Sequence, residues 1–121
     1  MSFSTMKIME DEYVLLRHEG PLTIDELYAG RIEARDLLEK NGWKRLLVDL
    51  SRASIGVRLI ELFTFTVSHT ATFPEYLVIA VVGIQENYQD AVFAETVSSN
   101  RGLRMKVFHN FDRAKAWLMV S

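Results

Sequence analysis

Residues 45–51 read Arg-Leu-Leu-Val-Asp-Leu-Ser, a nearly all-apolar run that ends in an acid and a hydroxyl. A run of this kind is typical of a strand in the middle of a parallel sheet, where both faces are covered. We therefore predict a central strand here. The following residues 52–56, Arg-Ala-Ser-Ile-Gly, are predicted to form a loop.

Four further strands are predicted on either side of this run. Residues 76–83 are apolar on both faces and predict a second buried strand. Residues 3–9 and 13–19 predict an antiparallel hairpin whose first strand lies at the sheet edge, and residues 104–108 predict a last strand. Two buried parallel strands need a crossover, which is usually a helix.

The first of four predicted helices has the clearest local signals. Thr23 and Glu26 have the spacing of a capping box, in which the Thr23 hydroxyl accepts from the Glu26 amide. Leu22 and Leu27 flank this cap at the spacing of a hydrophobic staple. Gly42 is suited to end the helix because glycine adopts the left-handed conformation without a Cβ penalty.

The other three helices are read from weaker patterns. Residues 57–73 are ambiguous, because residues 63–68 alternate like a strand while the whole segment also has a helical apolar face. We interpret the segment as a crossover helix. Residues 85–100 predict the next helix, and residues 111–118, capped by Asn110, predict the last. The order is then one α/β domain over residues 1–121 with a five-stranded, mostly parallel sheet.

Composition excludes several classes of function. Of the 121 residues, 49% are hydrophobic and 25% are charged, and the net charge of −2 with scattered cations gives no footprint for nucleic acid. The absence of cysteine excludes disulfides and thiol catalysis, and no His-Glu-x-x-His spacing indicates a metal, so no cofactor is expected. Neither a signal-peptide pattern nor an apolar run of about 20 residues is found, so we expect a cytoplasmic protein without a membrane span.

The whole pattern resembles a known family. The strand that ends at Asp49-Leu50-Ser51, the strand over residues 79–83 and the closing Phe108…Trp117-Leu118 are, in this order and spacing, similar to the SpoIIAA-like proteins. These are small bacterial members of the STAS and Sec14-like (CRAL-TRIO) fold group. The resemblance covers nearly the whole chain and depends on order, since each motif alone is common. It implies strands in near-sequential order, an antiparallel first strand and about four helices.

One part of the family pattern is missing. In STAS anti-sigma-factor antagonists the Asp-Leu-Ser strand is followed by Asp-Ser-Ser-Gly, in which phosphorylation of a serine breaks partner binding. Here residues 56–60 read Gly-Val-Arg-Leu-Ile, without an acid or a hydroxyl. The resemblance therefore implies the fold but not this switch. If phosphate regulates the protein, we expect it on Ser51 or Ser54, near a helix amino terminus.

A binding site is expected at the carboxyl ends of the strands, where ligands of parallel α/β sheets bind. The residues that the sequence offers there for an anion or a partner are Ser51, Arg52, Ser54, Gly56 and Arg58. An ordinary capped helix would give the same pattern. Asp49 is expected to hydrogen-bond the residues that follow it.

Catalysis is not expected. Asp49, Ser51 and His109 could be written as a triad, but no Gly-x-Ser-x-Gly signature supports it. His18 and His69 are interpreted, like His109, as packed or surface side chains. We predict a protein that is not an enzyme.

Two classes of function remain open. The first is an interaction or regulatory module that binds itself or a protein partner. The second is a binder of a small apolar (lipid-like) or anionic ligand, as in Sec14-like relatives. Because one sheet face is expected to lack cover, we predict a homodimer with Leu62 or Phe65 near the contact. The alternative is that Trp117 and Leu118 of the last helix close that face.

Overall fold

Five strands form a single sheet in sequence order in the computed structural model, which describes residues 3–54, 65, 77–83, 92, 95–96 and 104–121. The described elements are β1 (Phe3–Ile8), β2 (Tyr13–Pro21), α1 (Ile24–Asn41), β3 (Arg45–Ser54), β4 (Val78–Val82), β5 (Arg104–Phe108) and α2 (Phe111–Met119). β1 pairs antiparallel with β2, and β2 to β5 are parallel. The predicted five-stranded sheet with an antiparallel edge strand is confirmed.

Local signals explain where the two helices begin and end. The Thr23 hydroxyl accepts a hydrogen bond from the Glu26 amide at 3.2 Å, as the capping box predicted. The Asn110 side chain accepts from the Arg113 amide at 2.9 Å and caps α2 in the same way. Gly42 ends α1 with φ at 68°, in the left-handed region where glycine is favoured.

Each helix covers one face of the sheet. Side chains of a strand point alternately to opposite faces, and β2 illustrates this: Val14 packs in the cluster under α1, while Leu15 packs in the cluster with α2. β4 is buried along its whole length, as its continuous apolar sequence predicted. Leu118 of α2 is fully buried in the second cluster, and Trp117 packs against it. The expectation of an uncovered face was therefore wrong for this part of the sheet, and the alternative, closure by the last helix, is found.

The largest difference from the predicted elements is in β3. The strand continues to Ser54, so residues 52–54 are not the beginning of a loop. Arg52 lies opposite Glu19, and Ser54 lies opposite Pro21 of a likewise longer β2. The polar composition of this segment suggests a loop, but pairing with a neighbouring strand satisfies its backbone.

The two middle helices of the predicted order fall mostly outside the described residues. From the ambiguous segment only Phe65 is described, and it is helical, which agrees with the crossover interpretation at that residue. From the predicted helix over residues 85–100, Val92, Glu95 and Thr96 are described and are helical. Two helices, α1 and α2, are complete within the described part of the chain.

Candidate functional site

A β-bulge lies near the carboxyl end of β3. Arg17 pairs with Asp49, and Glu19 pairs with Arg52, so the register between β2 and β3 shifts between these two pairs. Leu50 and Ser51 of β3 therefore stand opposite the single residue His18 of β2. Bulges re-aim side chains and are common next to functional sites.

The Asp49 side chain stabilises this bulge. Its Oδ1 accepts a hydrogen bond from the Ser51 backbone N–H at 2.9 Å and a second from the Ser51 hydroxyl at 2.7 Å. An aspartate that accepts from the backbone two residues later offers the chain a local alternative to the strand ladder. The expected bond from Asp49 to the residues that follow it is confirmed.

The second oxygen of Asp49 is also occupied. Arg17 Nε donates to Asp49 Oδ2 at 3.0 Å, because the two residues are register partners on the same sheet face. Asp49 is only 3% exposed. Burial raises the pKa of this carboxyl, but the hydrogen bonds from Ser51 and Arg17 outweigh burial, so the pKa lies below its ordinary value. Asp49 is thus an ionised anchor whose two oxygens are both engaged, and it is not poised to act as a base.

The remaining predicted site residues lie around this anchor. Ser51 and Arg52 are exposed, and Arg52 Nη1 lies 3.7 Å from Glu19 Oε1. Both charges face water, so the pair adds little stability. Ser54 is half-buried, and its carbonyl accepts from the Leu22 amide at 2.9 Å. Gly56 and Arg58 lie outside the described residues.

A buried arginine under α1 was missed by the sequence reasoning. Arg31 is 6% exposed, and Arg31 Nη1 donates to the Phe65 carbonyl at 2.9 Å. Its guanidinium carbon lies 4.9 Å from the Tyr28 ring centroid and 4.5 Å from that of Phe65. These two rings meet edge to face at 5.1 Å. Burial lowers the pKa of Arg31, but an arginine side chain stays cationic at neutral pH.

This cluster uses a residue that was predicted for a dimer contact. Phe65 is only 8% exposed within a single chain, where it packs with Leu22, Leu27 and Ala53. It is therefore not available as an exposed contact residue. Leu62 lies outside the described residues. The homodimer itself stays a prediction without support from Phe65.

His18 is the most buried titratable residue at the carboxyl end of β2. It is 1% exposed, and its Nδ1 has no hydrogen-bond partner among the described residues. Burial lowers the pKa of His18, and the nearby charge of Glu26 raises it in part. His18 lies on the face covered by α1, where the Phe3 ring is 5.6 Å away. Asp49 lies on the opposite face, so the two cannot form one catalytic site.

The remaining candidates for chemistry are also separated. His109 is exposed and follows β5, while Ser51 lies on β3, with β4 between the two strands. His69 lies outside the described residues. Within the described ranges no group of three or more His, Asp or Glu side chains could hold a metal ion. Neither described helix is long and apolar enough to cross a membrane.

Comparison with known proteins identifies the fold. Over 97% of this chain and 94% of the other, the structure is similar to the crystal structure of an anti-sigma factor antagonist from Mycobacterium paratuberculosis, with a TM-score of 0.66 and 14% identity. It is also similar to an uncharacterised protein with a SpoIIAA-like fold from Shewanella loihica, with a TM-score of 0.56, 17% identity and coverage of 96% and 91%. The sequence matches no family model and no curated protein. The fold is therefore SpoIIAA-like, as the resemblance implied.

Proposed function

We propose that this chain, which has the SpoIIAA-like fold, is a non-enzymatic regulatory module that binds a partner protein. The binding surface in this proposal, here named the carboxyl-edge surface, consists of Glu19, Ser51, Arg52 and Ser54. Gly56 and Arg58, which follow Ser54 in the sequence, are also proposed as binding residues. A fold neighbour that is an anti-sigma factor antagonist supports a protein as the bound partner.

The observation that carries this proposal is the internal satisfaction of Asp49. Three hydrogen bonds from Ser51 and Arg17 occupy both of its oxygens, and its lowered pKa keeps it ionised. A catalytic acid or base needs a proton to exchange and a free approach to substrate. Asp49 instead fixes the bulge, and a fixed bulge presents the exposed Ser51 and Arg52 side chains in one orientation. This arrangement favours recognition over chemistry.

The same geometry favours a form of regulation that differs from the missing Asp-Ser-Ser-Gly switch. The Ser51 hydroxyl donates to Asp49, so a phosphate on Ser51 would remove this bond. It would also add a charge of about −1.5 to −2 beside an ionised carboxylate. Phosphorylation of Ser51 would therefore open the bulge. Ser54, three residues further along β3, is the second proposed position.

A second candidate function is binding of a small anionic ligand with an apolar part. The buried Arg31 between two aromatic rings favours it, since a cation beside apolar and aromatic groups suits such a molecule. Arg31 already donates to the Phe65 carbonyl, so a ligand would have to displace or extend this contact. For that reason protein binding is the first proposal.

The proposal also includes self-association and a cytoplasmic location. A homodimer was predicted from the sequence, and a module of this kind can bind a second copy of itself as well as another protein. The absence of a spanning helix among the described residues is compatible with a cytoplasmic location.

The test is partner binding by the purified protein. A protein cross-linked to the tagged chain in its source cells is purified and titrated against it by calorimetry. Arg52→Glu should raise the Kd at least about tenfold, because reversing one charge at a contact is worth about 1.4 kcal/mol or more. Arg104→Glu, at the amino end of β5, is the matched control and should leave the Kd unchanged.

Three results of this test contradict the proposal. They are equal Kd values for the wild type and Arg52→Glu, an equal effect of both variants, and the failure of every captured protein to bind in purified form. A native mass spectrum of the same preparation tests the second candidate. A small mass that co-purifies with the wild type and is lost in Arg31→Met would favour the ligand.

A further inference from the structure

The two edges of the sheet differ in how their backbone groups are satisfied. At β5 the Val107 backbone N–H donates to Glu95 Oε1 at 2.7 Å, so a side chain caps this edge. β1 forms the other edge and pairs with β2 on one side only. Its outer backbone groups have no partner in the part of the chain that the structure describes. Unpaired edges of this kind are templates for another strand.

Exposed apolar side chains flank this open edge. Met6 lies on β1, Met9 follows the strand, and Ile32 lies on α1, which packs over β1 and β2. Together with Val120, these are the large hydrophobic residues that are exposed in the described part of the chain. Two of the four thus lie on β1 or directly after it. Such clustering usually marks a surface that another molecule covers.

Opposite charges also lie along β1 on the α1 face. Phe3 packs under α1, so Thr5 and Lys7 point to the same face by strand alternation. The Thr5 hydroxyl donates to Glu33 Oε1 of α1, which holds a carboxylate beside the strand. Lys7 is exposed two residues further on. An acid and a base therefore stand on the same edge, at different positions along the strand.

We propose that β1 pairs antiparallel with β1 of a second copy of this chain, with Met6 on the two-fold axis. Along β1, every second residue points its backbone N–H and C=O away from β2. These residues must lie opposite the equivalent residues of the second copy, so the two-fold axis has to pass through a residue position. With Met6 at the centre, Lys7 lies opposite Thr5 of the second copy and therefore beside its Glu33. Ile8 lies opposite Ser4 of the second copy, and both contacts occur twice by symmetry.

Neighbouring registers fit less well. With Thr5 on the axis, Lys7 would lie opposite Phe3 of the second copy, two residues away from the Thr5 that contacts Glu33. With Lys7 on the axis, two like charges would face each other, which destabilises a cross-strand pair. A two-fold axis perpendicular to the sheet also places both α1 helices on the same face of the joined sheet. These self-complementary features favour a second copy over an unrelated peptide.

This inference rests on the self-association within the proposed function and uses a surface other than the carboxyl-edge surface. Sedimentation equilibrium of the wild type at micromolar concentration should give about twice the chain mass of 13.9 kDa. Lys7→Glu should raise the dimer Kd about tenfold or more, because two cross-strand pairs become repulsive. Adding Glu33→Lys should restore dimerisation. Arg104→Glu on the opposite edge strand is the control and should leave it unchanged.

A cross-linking experiment reads the register directly. The chain has no cysteine, so one introduced thiol gives an unambiguous product. Met6→Cys should form an intermolecular disulfide rapidly under mild oxidation, since the two thiols would meet on the axis. Ser4→Cys should cross-link much more slowly, because it would face Ile8 of the second copy.

The possible outcomes separate this inference from the proposed function. A wild type that sediments as a monomer overturns both this inference and self-association, while partner binding at Arg52 is measured independently. A dimer that is insensitive to Lys7→Glu, or that cross-links equally through both cysteine variants, overturns the β1 interface and leaves self-association intact.

Discussion

The two faces of the sheet bury polar groups in different ways. On the α2 face, the ionised Asp49 forms an ion pair with Arg17 of β2 and accepts hydrogen bonds from Ser51 of its own strand β3. On the α1 face, Arg31 is held by contacts with Tyr28 and Phe65, and His18 Nδ1 lacks a partner among the described residues. The first group is a closed network, and the second depends on packing between helix and sheet. The comparison indicates that the two groups should respond differently to mutation and to pH.

Asp49→Ala should produce the largest loss of stability. It leaves Arg17 without its carboxylate and the Ser51 N–H without its acceptor, and breaking a buried pair in this way costs about 3 kcal/mol or more. Denaturant unfolding measures the free energy. Asp49→Asn is the control, because its amide oxygen still accepts from Ser51, and it should lose clearly less. Equal losses for the two variants would show that the bulge bonds contribute nothing.

Arg31→Met should cost about 2 kcal/mol of unfolding free energy. Methionine keeps the apolar stem but removes the cation between the rings and the bond to the Phe65 carbonyl. A double-mutant cycle with Phe65→Leu measures the coupling between the two side chains. A coupling near zero would mean that Arg31 acts independently of the Phe65 ring, contrary to the packing on the α1 face.

Acidification should destabilise the protein through His18. The folded-state pKa of His18 lies below the ordinary value of 6.5, so folding favours the neutral ring. Its contribution to stability is full above pH 6.5 and is lost as the pH falls through the lowered folded pKa. As the pH is lowered below 6.5, the urea concentration at the unfolding midpoint should therefore decrease for the wild type. The midpoint of His18→Phe should depend less on pH over the same range. Asp49 loses its contribution only at more acidic pH, since its pKa is also lowered.

The helix caps should produce the smallest effects. Thr23→Ala and Asn110→Ala each remove one side-chain acceptor from a helix amino terminus and should each cost about 1 kcal/mol. Thr23→Ser keeps the acceptor and should cost less. Thermal unfolding of the three variants measures the differences. If Asn110→Ala lost as much unfolding free energy as Asp49→Ala, the expected order of the two effects would be contradicted.

Features determined by residues close together in the sequence were predicted correctly, and features that depend on distant residues were missed. The caps at Thr23 and Asn110, the end of α1 at Gly42 and all of β5 were predicted because neighbouring residues determine them. The continuation of β3 through Arg52 was missed, since its pairing with Glu19 joins two distant parts of the chain.

The candidate site shows the same division. A bond from Asp49 to the residues that follow it was predicted because it is local, but the contribution of Arg17 required the register of two strands. Arg31 was missed because an arginine in an amphipathic helix normally faces water. The spacing of Tyr28 and Arg31 on one helical face is the only local signal that pointed to a shared environment.

The close approach of α1 to β2 has a consequence for how this sequence can evolve. A Cβ atom on Gly30 would lie 3.2 Å from His18 Cε1 and Nε2 and from Leu16 Cδ1. Alanine normally stabilises a helix interior by about 1 kcal/mol relative to glycine. At position 30, however, its methyl group would have to displace the His18 imidazole. Substitutions at positions 18 and 30 are therefore expected to covary. A lineage that replaces the glycine is expected to carry a smaller residue in place of the histidine, and the two changes should be inherited together.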